Sequence, residues 1–329
     1  MTSRTSAYLA PFGFAAPLLA ELRLAGLKPS SLVANGRLVL VDEAPEGTTG
    51  FLWAQNTWHD VQRVPVTSVA SAAAHLRAQQ RNWARLWPTS AAGGGLTRRS
   101  QLIEQALPPL RRSLRFPGCV QTVGAYRDSP MGSWTLLAPD VMLCAARCSS
   151  LFAHGELHFD EDKRGPPSRA YLKLWEAFTR LGRIPLPSDV CVDLGSSPGG
   201  WTWALQQLGV KAVVSVDKAP LDPAVAQLPN VHFVKESAFG IDPRRALEAV
   251  PGAQRVNWLF SDIACYPERL LRLVRTWIDS GLVDNIVCTI KFQHETDFDA
   301  IARFRALPNS SLVHLHNNKH ELTWIYLSS

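Results

Sequence analysis

The second half of the chain alternates short apolar runs with longer amphipathic segments. The runs contain almost no polar residues, as in strands covered on both faces: Val190–Leu194, Ala212–Asp217, Val231–Val234, Val256–Ser261 and Asn285–Lys291. Helical spacing predicts helices at Ser168–Gly182, Gly200–Leu208, Pro243–Val250, Pro267–Gly281 and Thr296–Leu307, and two last strands near Leu312–Leu315 and Leu322–Leu327. This alternation predicts an α/β domain with a mostly parallel sheet and helices on both faces.

The first half predicts shorter and less regular elements. Ala16–Leu27 has helical spacing, and the turn signal Asn35-Gly36 within Ser31–Val41 predicts a β-hairpin. Residues 68–88 predict another helix, and Ser90–Gly95 has the composition of a flexible linker. These elements together predict an α+β domain.

A length of 329 residues indicates about two domains, because a single core seldom serves more than ~250–300 residues. The charged segment Asp160–Pro167 suits a boundary, so we predict domains at 1–159 and 160–329. Apolar stretches such as Phe14–Ala20 are far shorter than the roughly 20 residues of a membrane span, and no secretory signal pattern opens the chain. We therefore expect a cytoplasmic protein without a membrane partner, with a monomer slightly favoured.

Cysteine and histidine patterns give no sign of a metal site. The six cysteines contain no Cys-x-x-Cys pair, which favours buried free thiols over a disulfide or zinc framework. His154-Gly-Glu-Leu-His158 lacks the His-Glu-x-x-His order, and Gly155 argues against a helix there. No metal is predicted.

The net charge of +6 lies entirely in the first half. Residues 1–150 hold 15 Lys and Arg against 8 Asp and Glu, whereas residues 151–329 hold 19 against 20. Lys28 is the only lysine of the first half, and arginine suits bidentate phosphate contact. The densest group is Arg77, Arg81, Arg85, Arg98, Arg99, Arg111, Arg112 and Arg115, the first three on one face of the predicted helix. Charge alone fits a polyanion-binding surface and a solubilising surface equally well.

A glycine-rich turn follows the first apolar strand of the second half, in Val190-Cys-Val-Asp-Leu-Gly-Ser-Ser-Pro-Gly-Gly-Trp201. Ligands of open α/β sheets bind beyond the carboxyl ends of such strands. Ser197 replaces the second glycine of a dinucleotide-binding loop, and no Gly-Lys-Ser/Thr follows, so phosphate cradling is disfavoured. Asp193 ends this strand and Asp217 ends the next, where a carboxylate can meet ribose hydroxyls. A nucleoside that bears positive charge fits these features, and a turn that only packs helix on strand is the plainer alternative.

Three segments carry a resemblance to a known family. Asp193-Leu-Gly-Ser-Ser-Pro-Gly-Gly-Trp-Thr202 resembles the S-adenosylmethionine loop of FtsJ-type RNA 2'-O-ribose methyltransferases, and Asp217-Lys-Ala-Pro-Leu-Asp-Pro223 is similar to their segment after strand two. Pro167–Phe178 is similar to the preceding helix, most closely in the RlmM subgroup, which methylates 23S ribosomal RNA and carries a THUMP-containing region. The resemblance implies a Rossmann-like methyltransferase domain at 160–329 and a THUMP-like RNA-binding region at 1–159. It implies S-adenosylmethionine contacts from Asp193, Gly195, Ser197, Pro198, Gly199, Gly200, Trp201, Asp217, Ser237 and Asp262.

The same resemblance implies a Lys-Asp-Lys-Glu catalytic set, which corresponds here to Lys173, Asp262, Lys291 and Glu321. Transfer of a methyl group to a ribose hydroxyl needs alignment and a base. A neighbouring lysine and partial burial lower a lysine pKa, so we expect Lys291 to be the base and Lys173 its electrostatic neighbour. Asp262 and Glu321 would orient the lysines. Taken singly, each residue has an ordinary structural interpretation, such as helix capping for Asp262.

Two positions depart from the family pattern. Ser237 stands where the family commonly has an acid that holds the adenine edge, and Glu236 could substitute; Ala170 replaces a polar residue. The leading hypothesis is 2'-O-methylation of 23S ribosomal RNA. Alternatives are a transfer RNA or messenger RNA cap substrate, a non-catalytic RNA-binding or ribosome-assembly factor with the same fold, and an oxidoreductase, which Ser197 disfavours.

Overall fold

The computed structural model describes residues 4–45, 48–89, 94–110 and 114–328. Arg111, Arg112 and most of the predicted linker lie outside the described residues. The chain divides into two compact units, Met1–Leu114 with Thr122–His158, and Arg115–Gln121 with Phe159–Ser329. No helix within the described ranges has the length and apolar character that a membrane crossing requires.

Elements up to Cys148 are short, as the irregular pattern of the first half predicts. In chain order they are β1 Ser6–Leu9, α1 Ala15–Leu24, β2 Pro29–Val33, β3 Leu38–Val41, β4 Asn56–His59, β5 Gln62–Pro65, α2 Val69–Gln79, β6 Trp83–Arg85, α3 Gly94–Gln105, α4 Cys119–Thr122, β7 Gly132–Ala138, β8 Val141–Ala145 and β9 Arg147–Cys148. Short 3₁₀ helices lie at Val123–Asp128 and Ala153–Gly155.

The first unit contains two sheets, with strand orders β2-β3-β1-β4-β9 and β5-β8-β7-β6. The predicted hairpin is confirmed: β2 pairs antiparallel with β3, and Ala34, Asn35 and Gly36 between them have positive φ. Trp134, Leu76 and Ile103 bring strand β7 and helices α2 and α3 into one core, and Trp58 and Leu143 belong to the other.

The helix predicted over residues 68–88 is wrong beyond Gln79. Helix α2 begins with a capping box at Ser68 and ends where Gln80 is fully extended, with φ of −166°. The Trp83 indole then donates to the carbonyl oxygens of Leu76 and Gln80, at 2.9 and 3.1 Å, and Trp83–Arg85 pairs in parallel with β7. Arg81 and Arg85 therefore do not lie on the helix of Arg77, and the predicted three-arginine face does not form.

The second unit follows the predicted alternation closely. Its elements are α5 Tyr171–Leu181, β10 Val190–Leu194, α6 Gly200–Gln206, β11 Ala212–Val216, α7 Pro223–Ala226, β12 Val231–Val234, α8 Pro243–Leu247, β13 Val256–Ser261, α9 Pro267–Asp279, β14 Val283–Lys291, α10 Phe298–Arg305, β15 Ser310–Val313 and β16 Glu321–Leu327. Helix α7 was not predicted, because four residues are too few to show helical periodicity.

One seven-stranded sheet organises the second unit, in the order β12-β11-β10-β13-β14-β16-β15. The first five strands are parallel, and β16 is antiparallel to both of its neighbours. The sheet is therefore mixed, and the α/β class predicted for this half is confirmed. Strand order reverses at β10, so the crevice that binds ligands in such sheets is expected beyond the carboxyl ends of β10 and β13.

Aromatic residues fill the core beside this crevice. Trp258 and Phe260 on β13 stack with ring centroids 5.8 Å apart and planes within 5°. Phe178 on α5 meets both rings edge-on. This packing fixes α5 against the central strand, which sets the position of the charged residue Lys173 in the first turns of the helix.

All six cysteines are free, and all except Cys148 are buried. Burial raises the pKa of the Cys144 thiol to about 11, so this thiol stays protonated at neutral pH. The prediction of buried free thiols is confirmed for five of the six cysteines, and Cys148 is half-buried.

Candidate active site

Four charged side chains from distant parts of the second unit meet at one edge of its sheet. The Lys173 ammonium donates to both carboxylate oxygens of Asp262, with Nζ 2.9 Å from Oδ1 and 2.7 Å from Oδ2. It also donates to Glu321, with Nζ 2.9 Å from Oε1. A lysine near the start of α5 thus holds an acid that follows β13 and an acid that begins β16.

Lys291 joins this cluster from the end of β14. Its Nζ lies 3.1 Å from Asp262 Oδ1 and donates to the Asp262 carbonyl oxygen at 2.6 Å. Both lysine nitrogens therefore lie within hydrogen-bond distance of the same carboxylate oxygen. The Lys291 side chain is 26% exposed and that of Lys173 only 11%. Of the two amines, Lys291 is the one that a substrate can reach more readily.

Opposing effects act on the Lys173 ammonium. Burial lowers its pKa, because a charge is costly away from water, but the carboxylates of Asp262 and Glu321 outweigh burial. The net result is a raised pKa, so Lys173 carries a positive charge at neutral pH. A positively charged Lys173 suits the electrostatic role expected for it.

Sheet topology explains why these residues meet although up to 148 positions separate them along the chain. Strands β13 and β14 are parallel, so Asp262 and Lys291 emerge at the same edge. Strand β16 runs in the opposite direction, and its first residue, Glu321, lies directly across from Lys291 in the register. The antiparallel strand therefore brings its beginning to the edge where its neighbours end.

The glycine turn beyond β10 is tightly packed. Gly195 has a φ of +76°, and a Cβ atom there would lie 2.4 Å from Ile263 Cγ1. Gly199 has a φ of +112°, and a Cβ atom on Gly200 would lie 2.3 Å from Ser168 Oγ. The turn thus needs glycine at these positions, both for backbone conformation and for close approach.

Asp193 lies buried beneath this turn at the end of β10. Its Oδ2 accepts a hydrogen bond from the Thr202 hydroxyl at 2.7 Å, and that hydroxyl also lies 2.8 Å from Ser215 Oγ. Burial raises the pKa of the Asp193 carboxyl to about 7, against the lowering effect of the Thr202 hydrogen bond. Asp262 and Asp217 raise it further. Asp193 therefore changes its charge near neutral pH.

Asp217 organises the outer side of the turn. Its carboxylate accepts from the Ser197 amide at 3.0 Å and from the Ala219 amide at 2.9 Å. The Ser197 hydroxyl donates to the Pro220 carbonyl oxygen, and the Pro198 carbonyl oxygen accepts from the Asp222 amide. The segments after β10 and β11, predicted to bind one ligand together, are thus joined in the structure.

Two other predicted cofactor contacts lie in different surroundings. The buried Trp201 indole donates to the Ala170 carbonyl oxygen at 2.8 Å and packs edge-on against Phe260. Ser237 follows β12 and makes local bonds, accepting from the amides of Phe239 and Gly240. Glu236, its suggested substitute, pairs with Arg245 at 3.0 Å.

Sequence reasoning missed two polar residues near the site. Ser196 is buried in the glycine turn, and its hydroxyl has no hydrogen-bond partner among the described residues. Glu176 is fully buried on α5, three residues after Lys173. A signal for Glu176 was available, because Lys173 and Glu176 are the only polar residues of the apolar run Tyr171–Phe178 and share one helix face. Ser196 had no comparable signal.

The arginines of the first half have diverse environments. Arg85 is largely buried and pairs with Glu104, with Nη2 2.8 Å from Oε2, and its guanidinium lies 3.6 Å from the Trp87 ring centre. Arg77 donates to the Ala106 carbonyl oxygen. Arg115 belongs to the second unit, where it pairs with Asp160.

Comparison with known protein families finds a match within the second unit. The sequence profile described as FtsJ-like methyltransferase matches residues 166–307. Residues 166–307 are similar to the FtsJ-like methyltransferase family. The matched stretch contains the glycine turn, Lys173, Asp262 and Lys291, and it ends before Glu321. The predicted family resemblance is confirmed.

Three curated proteins that are similar to this chain bear the name ribosomal RNA large subunit methyltransferase M. The protein of Halorhodospira halophila is 39% identical over 35% of this chain and 32% of its own length. That of Aromatoleum aromaticum is 30% identical over 62% and 59%, and that of Alkalilimnicola ehrlichii is 35% identical over 44% and 39%. The chain thus matches less than two thirds of the length of each relative.

Proposed function

We propose that this chain is an S-adenosylmethionine-dependent RNA methyltransferase that modifies a ribose 2'-hydroxyl of large-subunit (23S) ribosomal RNA. The observation that carries the proposal is the cluster of Lys173, Asp262, Lys291 and Glu321, joined by hydrogen bonds beside the glycine turn. The family match and the name of the relatives support the reaction class and the substrate. An oxidoreductase draws no support from this cluster.

The residues around the glycine turn fit S-adenosylmethionine. The buried Ser196 hydroxyl lacks a partner among the described residues, and a bound polar group would satisfy it. A side chain at Gly195, Gly199 or Gly200 would collide with neighbouring protein atoms. Because these residues have no side chain, the backbone of the turn can also approach a ligand closely. Asp217 lies where a carboxylate meets ribose hydroxyls, and Asp193, in its ionised form, supplies negative potential near a sulfonium. We propose that Gly195, Ser197, Pro198, Gly199, Gly200, Trp201, Ser237 and Asp262 complete the site.

Each member of the charged cluster has a distinct proposed role. S-adenosylmethionine, when bound, supplies an electrophilic methyl group. Lys291 Nζ, the more exposed amine, accepts the proton of the ribose 2'-hydroxyl. Lys173 carries a positive charge and lies across Asp262 from Lys291. Asp262 bridges the two lysines, and Glu321 holds Lys173 from the opposite side.

The first unit is proposed to hold the RNA. Residues 1–150 carry the whole excess of positive charge, and phosphate contacts from arginine supply much of the affinity of proteins for nucleic acids. We propose a THUMP-like region at 1–159, a methyltransferase domain at 160–329 and a cytoplasmic location, where ribosomal RNA is available. Arg63 and Arg98 are exposed and suited to such contacts, whereas Arg85 is held within the unit.

A methyl-transfer assay with several RNAs tests this function. The purified chain would be incubated with S-adenosylmethionine and ribosomal RNA, transfer RNA or capped messenger RNA, and the ribose protected from alkaline cleavage would be mapped. We expect one protected position in large-subunit RNA. Protection only in transfer RNA or at the messenger RNA cap would show that the substrate is not ribosomal RNA. If calorimetry detected no binding of S-adenosylmethionine, the non-catalytic RNA-binding alternative would be favoured.

A further inference from the structure

Glu176 lies one helical turn beyond Lys173 on α5, and its carboxylate is completely buried. Its Oε1 accepts a hydrogen bond from the His316 amide at 2.9 Å. Its Oε2 lies 3.4 Å from the Asn317 amide nitrogen and 3.5 Å from the Asn317 side-chain nitrogen. A buried acid on α5 therefore binds the backbone of the turn that joins β15 to β16.

Arg180 balances the negative charge of Glu176. Its guanidinium lies one turn further along α5, with Nη2 2.8 Å and Nε 2.9 Å from Glu176 Oε1. A buried carboxylate is costly unless it is paired and hydrogen-bonded, and Glu176 is both. The ionised carboxylate is thus kept at the position where it accepts the amides of the turn.

The turn held by Glu176 is connected to the active site by further hydrogen bonds. The Asn318 amide donates to the Leu315 carbonyl oxygen at 3.0 Å, and the Asn318 side chain donates to Thr323 Oγ1 on β16 at 3.1 Å. The Lys319 amide lies 3.4 Å from Glu321 Oε1, the oxygen that also accepts from Lys173. Anchoring the turn therefore sets the position of the Glu321 carboxylate.

We propose that Glu176 is a positioning residue for catalysis, acting through Glu321 on Lys173. Helix α5 holds the beginning of β16 at two points three residues apart, by the Lys173–Glu321 pair and by the bonds of Glu176 to the turn. If the turn moves, Glu321 moves with it, and Lys173 loses one of the two carboxylates that fix its ammonium. This inference rests on the proposed methyl transfer, and a purely stabilising Glu176 is the alternative.

Glu176→Gln and Glu176→Asp test the proposal in the full-length chain. Glutamine keeps the volume but loses the charge and one acceptor, and aspartate keeps the charge but is one methylene shorter. We expect either variant to lower kcat for RNA methylation by about tenfold, since small misplacements at reacting groups have effects of this size or larger. S-adenosylmethionine affinity should stay within about twofold, because the change acts on alignment and not on binding. If Glu176→Gln does not fold, the kcat of Glu176→Asp provides the test.

A double-mutant cycle separates positioning from stability. In a Glu321→Gln background the Glu176 substitution should leave the residual kcat unchanged, because its route to Lys173 is already broken. Glu268→Gln is the matched control, since Glu268 forms surface ion pairs with Arg272 and Arg303 on α9 and α10, and it should leave kcat unaltered.

Four outcomes would overturn the proposal. Equal losses of kcat in the wild-type and Glu321→Gln backgrounds would show that Glu176 does not act through Glu321. A lower melting temperature with unchanged kcat would make its role structural only. An active wild type with unaffected Glu176 variants would leave the proposed function standing, whereas an inactive wild type would remove both.

Discussion

The two units use charged residues in opposite ways. In the second unit, Lys173, Asp262, Lys291 and Glu321 are far apart in sequence and meet around one carboxylate. In the first half, Arg77 and Arg85 are close in sequence, yet one bonds a carbonyl oxygen after α3 and the other is buried against Glu104. Proximity along the chain is thus a poor guide to a shared surface, whereas position at the ends of neighbouring strands is a good guide to a shared site.

Lys291→Ala is the substitution with the largest expected effect, because it removes the proposed base from the cluster. We expect kcat for RNA methylation to fall by about a thousandfold, within the range of general-base contributions. Calorimetric affinity for S-adenosylmethionine should change little, since the glycine turn is untouched. Lys211→Ala is the matched control, an exposed lysine at the beginning of β11 and hence at the other edge of the sheet. Near-normal turnover by Lys291→Ala would eliminate the proposed role.

Asp193→Asn should change the pH dependence of folding stability. The folded pKa of Asp193 is about 7 and its ordinary value is 3.8, so its stabilising contribution is complete below about pH 3.8 and is lost as the pH rises through 7. Asparagine mimics the protonated form at every pH. We expect the variant to gain about 2 kcal/mol of unfolding free energy relative to wild type between pH 5 and pH 8. Urea denaturation of both proteins at the two pH values measures the difference in unfolding free energy. An equal change of unfolding free energy with pH in wild type and variant would show that Asp193 ionises normally.

Arg85→Ala probes an arginine that is occupied within the first unit. Loss of its hydrogen bonds to Glu104 and Ser100 and of its stacking on Trp87 should lower the unfolding free energy by about 1–2 kcal/mol. RNA affinity at a temperature well below unfolding should change little. A large loss of RNA affinity with unchanged stability would indicate that Arg85 contacts RNA as part of the proposed RNA-binding surface.

Arg98→Ala is the counterpart at an exposed position of α3. Stability should be preserved within about 0.5 kcal/mol, as for most surface substitutions. The slope of log affinity for RNA against log salt should become shallower by about one unit, the effect of one lost phosphate contact. RNA titrations between 50 and 200 mM salt, roughly the range over which such contacts are lost, measure the slope. An unchanged slope would indicate that this arginine only confers solubility.

Sequence patterns located most of the second unit because several of its strands are apolar almost throughout. Val190–Leu194, Val231–Val234 and Val256–Ser261 have the predicted bounds, and each is flanked by polar or turn residues. Asp262 and Lys291 lie close together because the parallel strands β13 and β14 end at the same edge of the sheet. Their roles in catalysis stay predictions.

The features that the sequence did not predict depend on tertiary contacts, which leave no signal in the local sequence. The helix predicted through Arg85 fails because the Trp83 indole bonds the end of α2, a contact that a spacing of four between arginines cannot reveal. The importance of Glu176 depends on amides 140 residues away. The uneven surroundings of Arg77, Arg85 and Arg115 likewise depend on partners that sequence spacing does not specify.

Mass spectrometry of ribosomal RNA nucleosides tests the central claim most directly. Large-subunit RNA without the modification would be incubated with S-adenosylmethionine and either the wild-type chain or Lys291→Ala, then digested to nucleosides. A single 2'-O-methylated nucleoside formed by wild type and absent with Lys291→Ala is the predicted result. A base-methylated nucleoside, or equal ribose methylation by both proteins, would contradict the assignment of the cluster to ribose methylation.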